Sequence, residues 1–203
     1  MNKTNHLLKA ILTLEKELSA KNGLRWLVGG SCGLLLQGVP LVNLPRDLDV
    51  YVDADQVDAV YECLRPFAVD QPQLSTTGMY SSCLSHYDLD GVSLELVGSL
   101  KVNSAGSSYE VRIQDGLWPF RVETRIENKS IALMPLAHEL IFNMLRHRPD
   151  RYIAIAGMIS GHLRRQLPPL QYVLQHSEIS ELLFERLSRV LQHPPGLSVM
   201  RKE

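Results

Sequence analysis

The feature that most constrains what this chain can fold into is a pair of carboxylates one residue apart, Asp47 and Asp49, shortly after a glycine–serine turn. Arg25-Trp26-Leu27-Val28 is short, largely apolar and stops at Gly29-Gly30, the pattern of a strand ending at a tight turn. A helix is expected next, capped by Ser31, with Leu34, Leu35 and Leu36 on its apolar side and Gly38-Val39-Pro40 as its stop. A strand, a glycine turn and a helix N-terminus leave free backbone N–H groups and the positive end of a helix dipole at one point, which suits phosphate.

The run Asp47-Leu48-Asp49-Val50-Tyr51-Val52 alternates with period two, so it reads as a strand with both aspartates on one side. At roughly 3.3 Å per residue they lie about 7 Å apart along the backbone. Carboxylates that close repel unless a cation lies between them, and Mg2+ favours a few carboxylate oxygens, water and substrate phosphate oxygens. Asp47 and Asp49 are therefore expected to hold Mg2+, or Mn2+ in its place, against a nucleoside triphosphate whose phosphates lie on Gly30-Ser31.

These motifs, Leu27-Val28-Gly29-Gly30-Ser31, Leu35-Leu36-Gln37-Gly38 and Arg46-Asp47-Leu48-Asp49-Val50, resemble the head of the nucleotidyltransferase superfamily of the DNA polymerase beta type. Toxin-type, antibiotic and tRNA nucleotidyltransferases share that head. Ser31-Cys32-Gly33-Leu34 departs from the Ala-Val-Arg-Asp run of the tRNA-modifying members. The resemblance implies a third carboxylate on a later strand. Glu95 is the candidate: Asp90-Gly91 signals a hairpin, Val92, Leu94 and Leu96 face a core, and Glu95 falls on the opposite face with Ser93 and Val97. In the polymerase-like scheme Glu95 joins the metal ligands or takes the proton of an attacking hydroxyl, while Asp47 and Asp49 bridge two ions about 3.5–4 Å apart. Gly29, Gly30, Ser31 and Arg46 are the expected nucleotide contacts, Arg46 because a guanidinium fork suits phosphate oxygens; its alternative is a salt bridge orienting Asp47.

Other polar residues read more plainly. Asp55 suits a helix start, Asp88 and Asp90 suit the hairpin turn, and His138 and His147, although able to carry protons, read as structural or exposed helix residues. The three cysteines, Cys32, Cys63 and Cys83, have no metal-ligand spacing and are odd in number, which suits a reducing cytoplasmic setting. With 203 residues, 45% of them hydrophobic, the chain can build one good core or a head with a helical tail. A net charge of −1 gives no general field for polyanions, and no run reaches membrane-spanning length.

Residues 5–20 read as an amphipathic helix packed on the head. Strands are expected at Tyr109–Ile113, Phe120–Glu123 and Ser130–Leu133, and the small-residue stretch from Gly98 to Ser108 reads as a loop, either a lid or an ordinary surface segment. Beyond Pro135 the period becomes helical: Pro135 opens one helix, Asp150 caps a second that Pro168-Pro169 ends, and Ser177 opens the last. The expected architecture is α+β: a nucleotidyltransferase head over 1–133 with a mixed β-sheet flanked by helices, then an α-helical C-terminal part over 134–203. That apolar tail serves equally to cover the head or to form a homodimer surface.

The expected activity is Mg2+-dependent transfer of a nucleoside monophosphate from an NTP such as ATP to an acceptor hydroxyl, on a small molecule, a protein or an RNA end, with release of pyrophosphate. The rival reading is a non-catalytic nucleotide-binding or antitoxin-like interaction module of the same fold.

Overall fold

The computed structural model describes residues 3–191. A mixed sheet runs through the middle of the molecule, helices flank it, and the C-terminal part is α-helical. The long N-terminal helix α1 (Lys3–Ser19) buries Leu7, Ile11, Leu14 and Leu18, one stripe at helical spacing, as its sequence pattern requires. Strand β1 (Leu27–Gly29) passes directly into the short helix α2 (Gly30–Leu36). Gly29, not Ser31, occupies the cap position, and no side chain caps this helix.

Strand β2 (Asp47–Val52) runs antiparallel to β1 and is followed by α3 (Val57–Leu64). A meander comes next, β3 (Gln73–Thr77), β4 (Tyr80–Leu89) and β5 (Val92–Ser104), with the expected Asp90-Gly91 turn between its last two strands. Strand β3 has no local signal, because it is an edge strand whose residues are mostly exposed and so lack an apolar alternation. The Gly98–Ser108 stretch is not a loop. Strand β5 continues through it, because Leu100 and Val102 are buried, and turns at Ala105-Gly106 into β6 (Ser107–Glu110). Both turn residues have positive φ, 47° and 74°, as a two-residue hairpin requires. The segment expected as a strand to Ile113 leaves β6 for a single π-helical turn at Ile113–Leu117, held by the Asp53 carboxylate, which accepts from the backbone N–H groups of Ile113 and Gln114 at 2.7 Å each.

Strands β7 (Val122–Ile126) and β8 (Lys129–Leu133) complete the main order β3-β4-β5-β2-β1-β8-β7, in which β2–β5 and β1–β8 are the parallel pairs. The helical part comprises α4 (Leu136–Leu145), α5 (Pro149–Gly161), α6 (Leu163–Gln175) and α7 (Glu181–Val190). Three of its expected boundaries shift. Asp150 does not cap α5; Pro149 stands in its first turn, and Asp150 instead pairs with Arg148 at 2.7 Å. Pro168-Pro169 lie inside α6, whose buried face of Pro169, Leu170, Val173 and Leu174 holds the helix together across the missing donors. Ser180, not Ser177, caps α7, while Ser177 joins Glu178 in a short strand, β9 (Ser177–Glu178), beside β6.

Period-two alternation splits the apolar side chains into two cores on opposite faces of the sheet. Leu48, Val50, Val52, Leu94 and Leu96 pack with α1 and α3, whereas Tyr51 and Val97 pack with the helices from α4 onward. All ten residues of α4 are buried, which makes it the central helix of that second face. Among the described residues no helix is long and apolar enough to cross a membrane.

Candidate active site

The face that Tyr51 and Val97 share also carries the acids. Parallel pairing of β2 with β5 sets Asp49 opposite Glu95 and Asp47 opposite Ser93, so the two middle strands of the sheet place Asp47, Asp49 and Glu95 along the rim of one cavity of about 320 Å³. Gly30 and Ser31 close its β1 end, β3 and β4 its other end, and α4 and α5 form its roof. Asp49 is pushed up to about 7 from 3.8, first by burial and then by the negative charges of Asp47 and Glu95, with Arg146 and Arg151 pulling the other way. A cation placed among these acids would relieve that repulsion.

The first turn of α2 is built for close approach. Gly30 has φ +58°, and a Cβ there would collide with the Asp49 carboxylate, so only glycine lets the turn lie against that side chain. Its N–H is not free for a phosphate as the sequence pattern suggested, because Glu139 Oε1 accepts it at 2.7 Å. Glu139 is fully buried on α4, its other oxygen takes a bond from Asn143 Nδ2 at 3.3 Å, and burial is the largest cause of its rise from 4.5 to about 7. Ser31 remains on the cavity wall; Gly29 lies behind it, packed against Tyr51, Met134 and Glu139.

Arg46 is exposed and does not line the cavity. The cations that do are Arg146, at the end of α4, and Arg151, in the first turns of α5. Neither forms an ion pair among the described residues, while their neighbour Arg148 is matched by Asp150. The guanidinium of Arg146 lies 4.7 Å from the Phe142 ring centre and 5.9 Å from that of Tyr80, which fixes it over the β4 side of the cavity.

Glu139, Arg146 and Arg151 join the site without a place in the sequence motifs. A signal for Glu139 existed: it is the one acid in the mostly apolar run Leu136–Leu145, and a carboxylate on a buried helix needs a partner. Arg146 and Arg151 lie in the basic stretch Arg146-His147-Arg148-Pro149-Asp150-Arg151, but nothing local distinguishes them from Arg148, which points elsewhere. His138 is structural: fully buried, its Nδ1 meets the Tyr109 hydroxyl at 2.8 Å, and burial holds it down near 3, so it stays neutral. Cys32 is buried and its thiol is pushed up to about 12, chiefly by burial.

Divalent metal chemistry fits the donor set in one respect and departs from expectation in another. Three acids share one wall, but among the described residues no group of three or more His, Cys, Asp or Glu side chains is gathered closely enough to hold a metal ion, so the expected trio Asp47, Asp49 and Glu95 is not a closed cage. An open pair of carboxylates is what Mg2+ uses when water and substrate phosphate supply its remaining ligands.

No curated protein matches the sequence. Among solved structures, the nucleotidyltransferase-fold protein TM1012 of Thermotoga maritima aligns over 83% of this chain and 96% of its own, at 19% identity and a TM-score of 0.61, and so shares the fold. ANT(2'')-Ia in complex with adenylyl-2''-tobramycin aligns over 82% of this chain and 96% of its own at 9% identity, with a TM-score of 0.49. The lincosamide antibiotic adenylyltransferase LnuA, lincomycin-bound, aligns over 68% and 84% at 18% identity, with a TM-score of 0.42. The model of one family covers residues 10–144, from the middle of α1 to the end of α4, and with it both strands that carry the acids. By that match the chain belongs to the aminoglycoside-2''-adenylyltransferase family of nucleotidyltransferases.

Proposed function

We propose that the protein transfers a nucleoside monophosphate, with ATP as the expected donor, onto an acceptor hydroxyl. The observation that carries this reading is the register of β2 against β5, which sets Asp49 beside Glu95 with Asp47 one step along the same face, at the mouth of a cavity closed by Gly30 and Ser31.

The roles follow from position. Asp47 and Asp49 would hold Mg2+, and Glu95 stands beside them on β5. When bound, Mg2+ supplies charge neutralisation at the phosphate oxygens. Ser31 offers its hydroxyl to the triphosphate at the β1 end of the cavity, while Arg151 faces the site from the roof with fixed positive charge and Arg146 overlooks the β4 side. Glu95 accepts the proton of the attacking hydroxyl. The hydroxyl oxygen forms its bond to the α-phosphorus as the bond to the bridging oxygen of pyrophosphate breaks, and the electron pair leaves with pyrophosphate. Glu139 acts at one remove, by holding the Gly30 N–H and hence the turn against which Asp49 rests.

The test is incubation of the purified chain with each α-labelled nucleoside triphosphate and Mg2+, with a panel of hydroxyl compounds, following pyrophosphate release and the fate of the label. Label that moves to an acceptor with the wild type and not with Asp49→Asn supports the reading. Unchanged transfer by Asp47→Asn, Asp49→Asn and Glu95→Gln would refute the assigned site, and triphosphate binding without transfer to any acceptor would favour the non-catalytic module.

A further inference from the structure

We infer that the acceptor is a small hydroxyl compound without ammonium groups, seated over β3, β4 and β5 beneath Arg146. This rests on the proposed transfer reaction and goes beyond it, because the family name points to a polycationic acceptor whereas the walls of this cavity are built for a different charge.

In-line displacement fixes where the acceptor must stand. The attacking oxygen approaches the α-phosphorus opposite the departing pyrophosphate. With the pyrophosphate end toward Ser31, beside β1, and the α-phosphorus over Asp47 and Asp49 on β2, the acceptor comes from the other side, past Glu95 on β5 toward β4 and β3. Glu95 then lies on the side from which the hydroxyl arrives, where its proton must go.

That half of the cavity has its own chemistry. Its polar groups are hydroxyls, from Ser75 and Thr77 on β3 and Tyr80 and Ser82 on β4, and its apolar wall is Leu84 and Leu100. No carboxylate lines it beyond Glu95. The charge that overlooks it is positive: Arg146 is fixed between the Tyr80 and Phe142 rings at 5.9 Å and 4.7 Å, with no carboxylate partner among the described residues. Arg148 and Arg146 lie near enough to press on Arg151 electrostatically, with Glu139 and Asp150 pulling the other way, and the one direct ion pair in this group among the described residues is Arg148 with Asp150. Over the whole lining, three acids face two arginines, and all three acids are already committed to the reaction centre. An aminoglycoside, carrying several ammonium groups, would find no spare carboxylate and would set cations against Arg146. Like charges brought together across a contact work as an exclusion device. Uncharged or anionic hydroxyl compounds meet no such barrier, and Ser75, Thr77 and Ser82 can both donate to and accept from their hydroxyls. The cavity, at about 320 Å³, is of small-molecule size.

The experiment uses the full chain loaded with Mg2+ and ATP and three probes: tobramycin as the polycation, methyl glucoside as the neutral polyol and glucose 6-phosphate as the anion. Thermal midpoint shifts and transfer of label are read for the wild type and for Arg146→Glu. The expected result is that methyl glucoside or glucose 6-phosphate shifts the midpoint or takes label while tobramycin does neither, and that Arg146→Glu improves tobramycin binding by at least about tenfold. Tobramycin that binds or is labelled better than both other probes overturns the inference, and so does a set of probes none of which shifts the wild type. Tobramycin binding that is the same in wild type and Arg146→Glu overturns the role of Arg146. Failure of the transfer reading is read separately, as absence of a midpoint shift by Mg2+ and ATP before any probe is added.

Discussion

At the scale of single residues, two positions separate backbone strain from site geometry. Gly30 and Gly38 both have positive φ, +58° and +76°, but a Cβ at Gly30 meets the Asp49 carboxylate while one at Gly38 meets open space. Gly38→Ala is expected to cost about 1 kcal/mol of stability with transfer intact, and Gly30→Ala a further loss with transfer cut by at least about tenfold. Denaturant melts beside initial rates check this, and equal rates in the two variants would sink the argument. His138 supplies the pH dependence. Burial holds the folded ring near 3, against 6.5 ordinarily, so the unfolded chain takes up a proton that the folded one refuses. Its contribution is full above about 6.5 and drains away as pH falls toward 3. His138→Phe is expected to lower stability at pH 8, because the buried Tyr109 hydroxyl loses its partner, and to flatten the fall below pH 6.5. An undiminished slope in thermal melts between pH 6.5 and 4 would show that His138 is not the group responsible.

At the scale of elements, α4 is what joins the sheet to the C-terminal helices. It buries every residue, carries Glu139 to the Gly30 turn and Arg146 to the cavity roof, and so couples packing to the site. Leu140 is wholly buried on it, whereas Leu182 on α7 is 61% exposed. Leu140→Ala is expected to cost about 2–5 kcal/mol, and Leu182→Ala less than about 0.5 kcal/mol. Urea midpoints at fixed slope measure the difference, and equal losses would refute the placement of α4. Elements with a strong period were legible from sequence: α1 from its apolar stripe, β2 from alternation, and the β4–β5 hairpin from Asp90-Gly91. Those without one were not. Strand β3 is exposed and polar, β5 runs on through small residues because its partners bury Leu100 and Val102, and α6 passes through two prolines because its inner face is packed.

At the scale of the whole molecule, the sheet sorts side chains onto two faces, one sealed by α1 and α3 and one opening to the cavity beneath α4 and α5. If the cavity takes Mg2+ and ATP as proposed, saturating both at about a hundred times the dissociation constant is expected to stabilise the fold by about 2.7 kcal/mol. That gain should vanish in Asp47→Asn and shrink in Arg151→Gln; calorimetric scans with and without Mg2+ measure it, and a gain retained by Asp47→Asn would place the nucleotide elsewhere. The sequence by itself determined the order strand, glycine turn, helix and Asp-x-Asp strand, and the face on which Asp47, Asp49 and Glu95 lie, because alternation and turn chemistry act between covalent neighbours. The tertiary structure alone decided that β2 pairs in parallel with β5, that Glu139 rather than phosphate takes the Gly30 N–H, and that Arg146 and Arg151 rather than Arg46 face the acids. Those choices join residues tens to a hundred positions apart, and what brings them together is burial of the two apolar faces of the sheet, which no local pattern encodes.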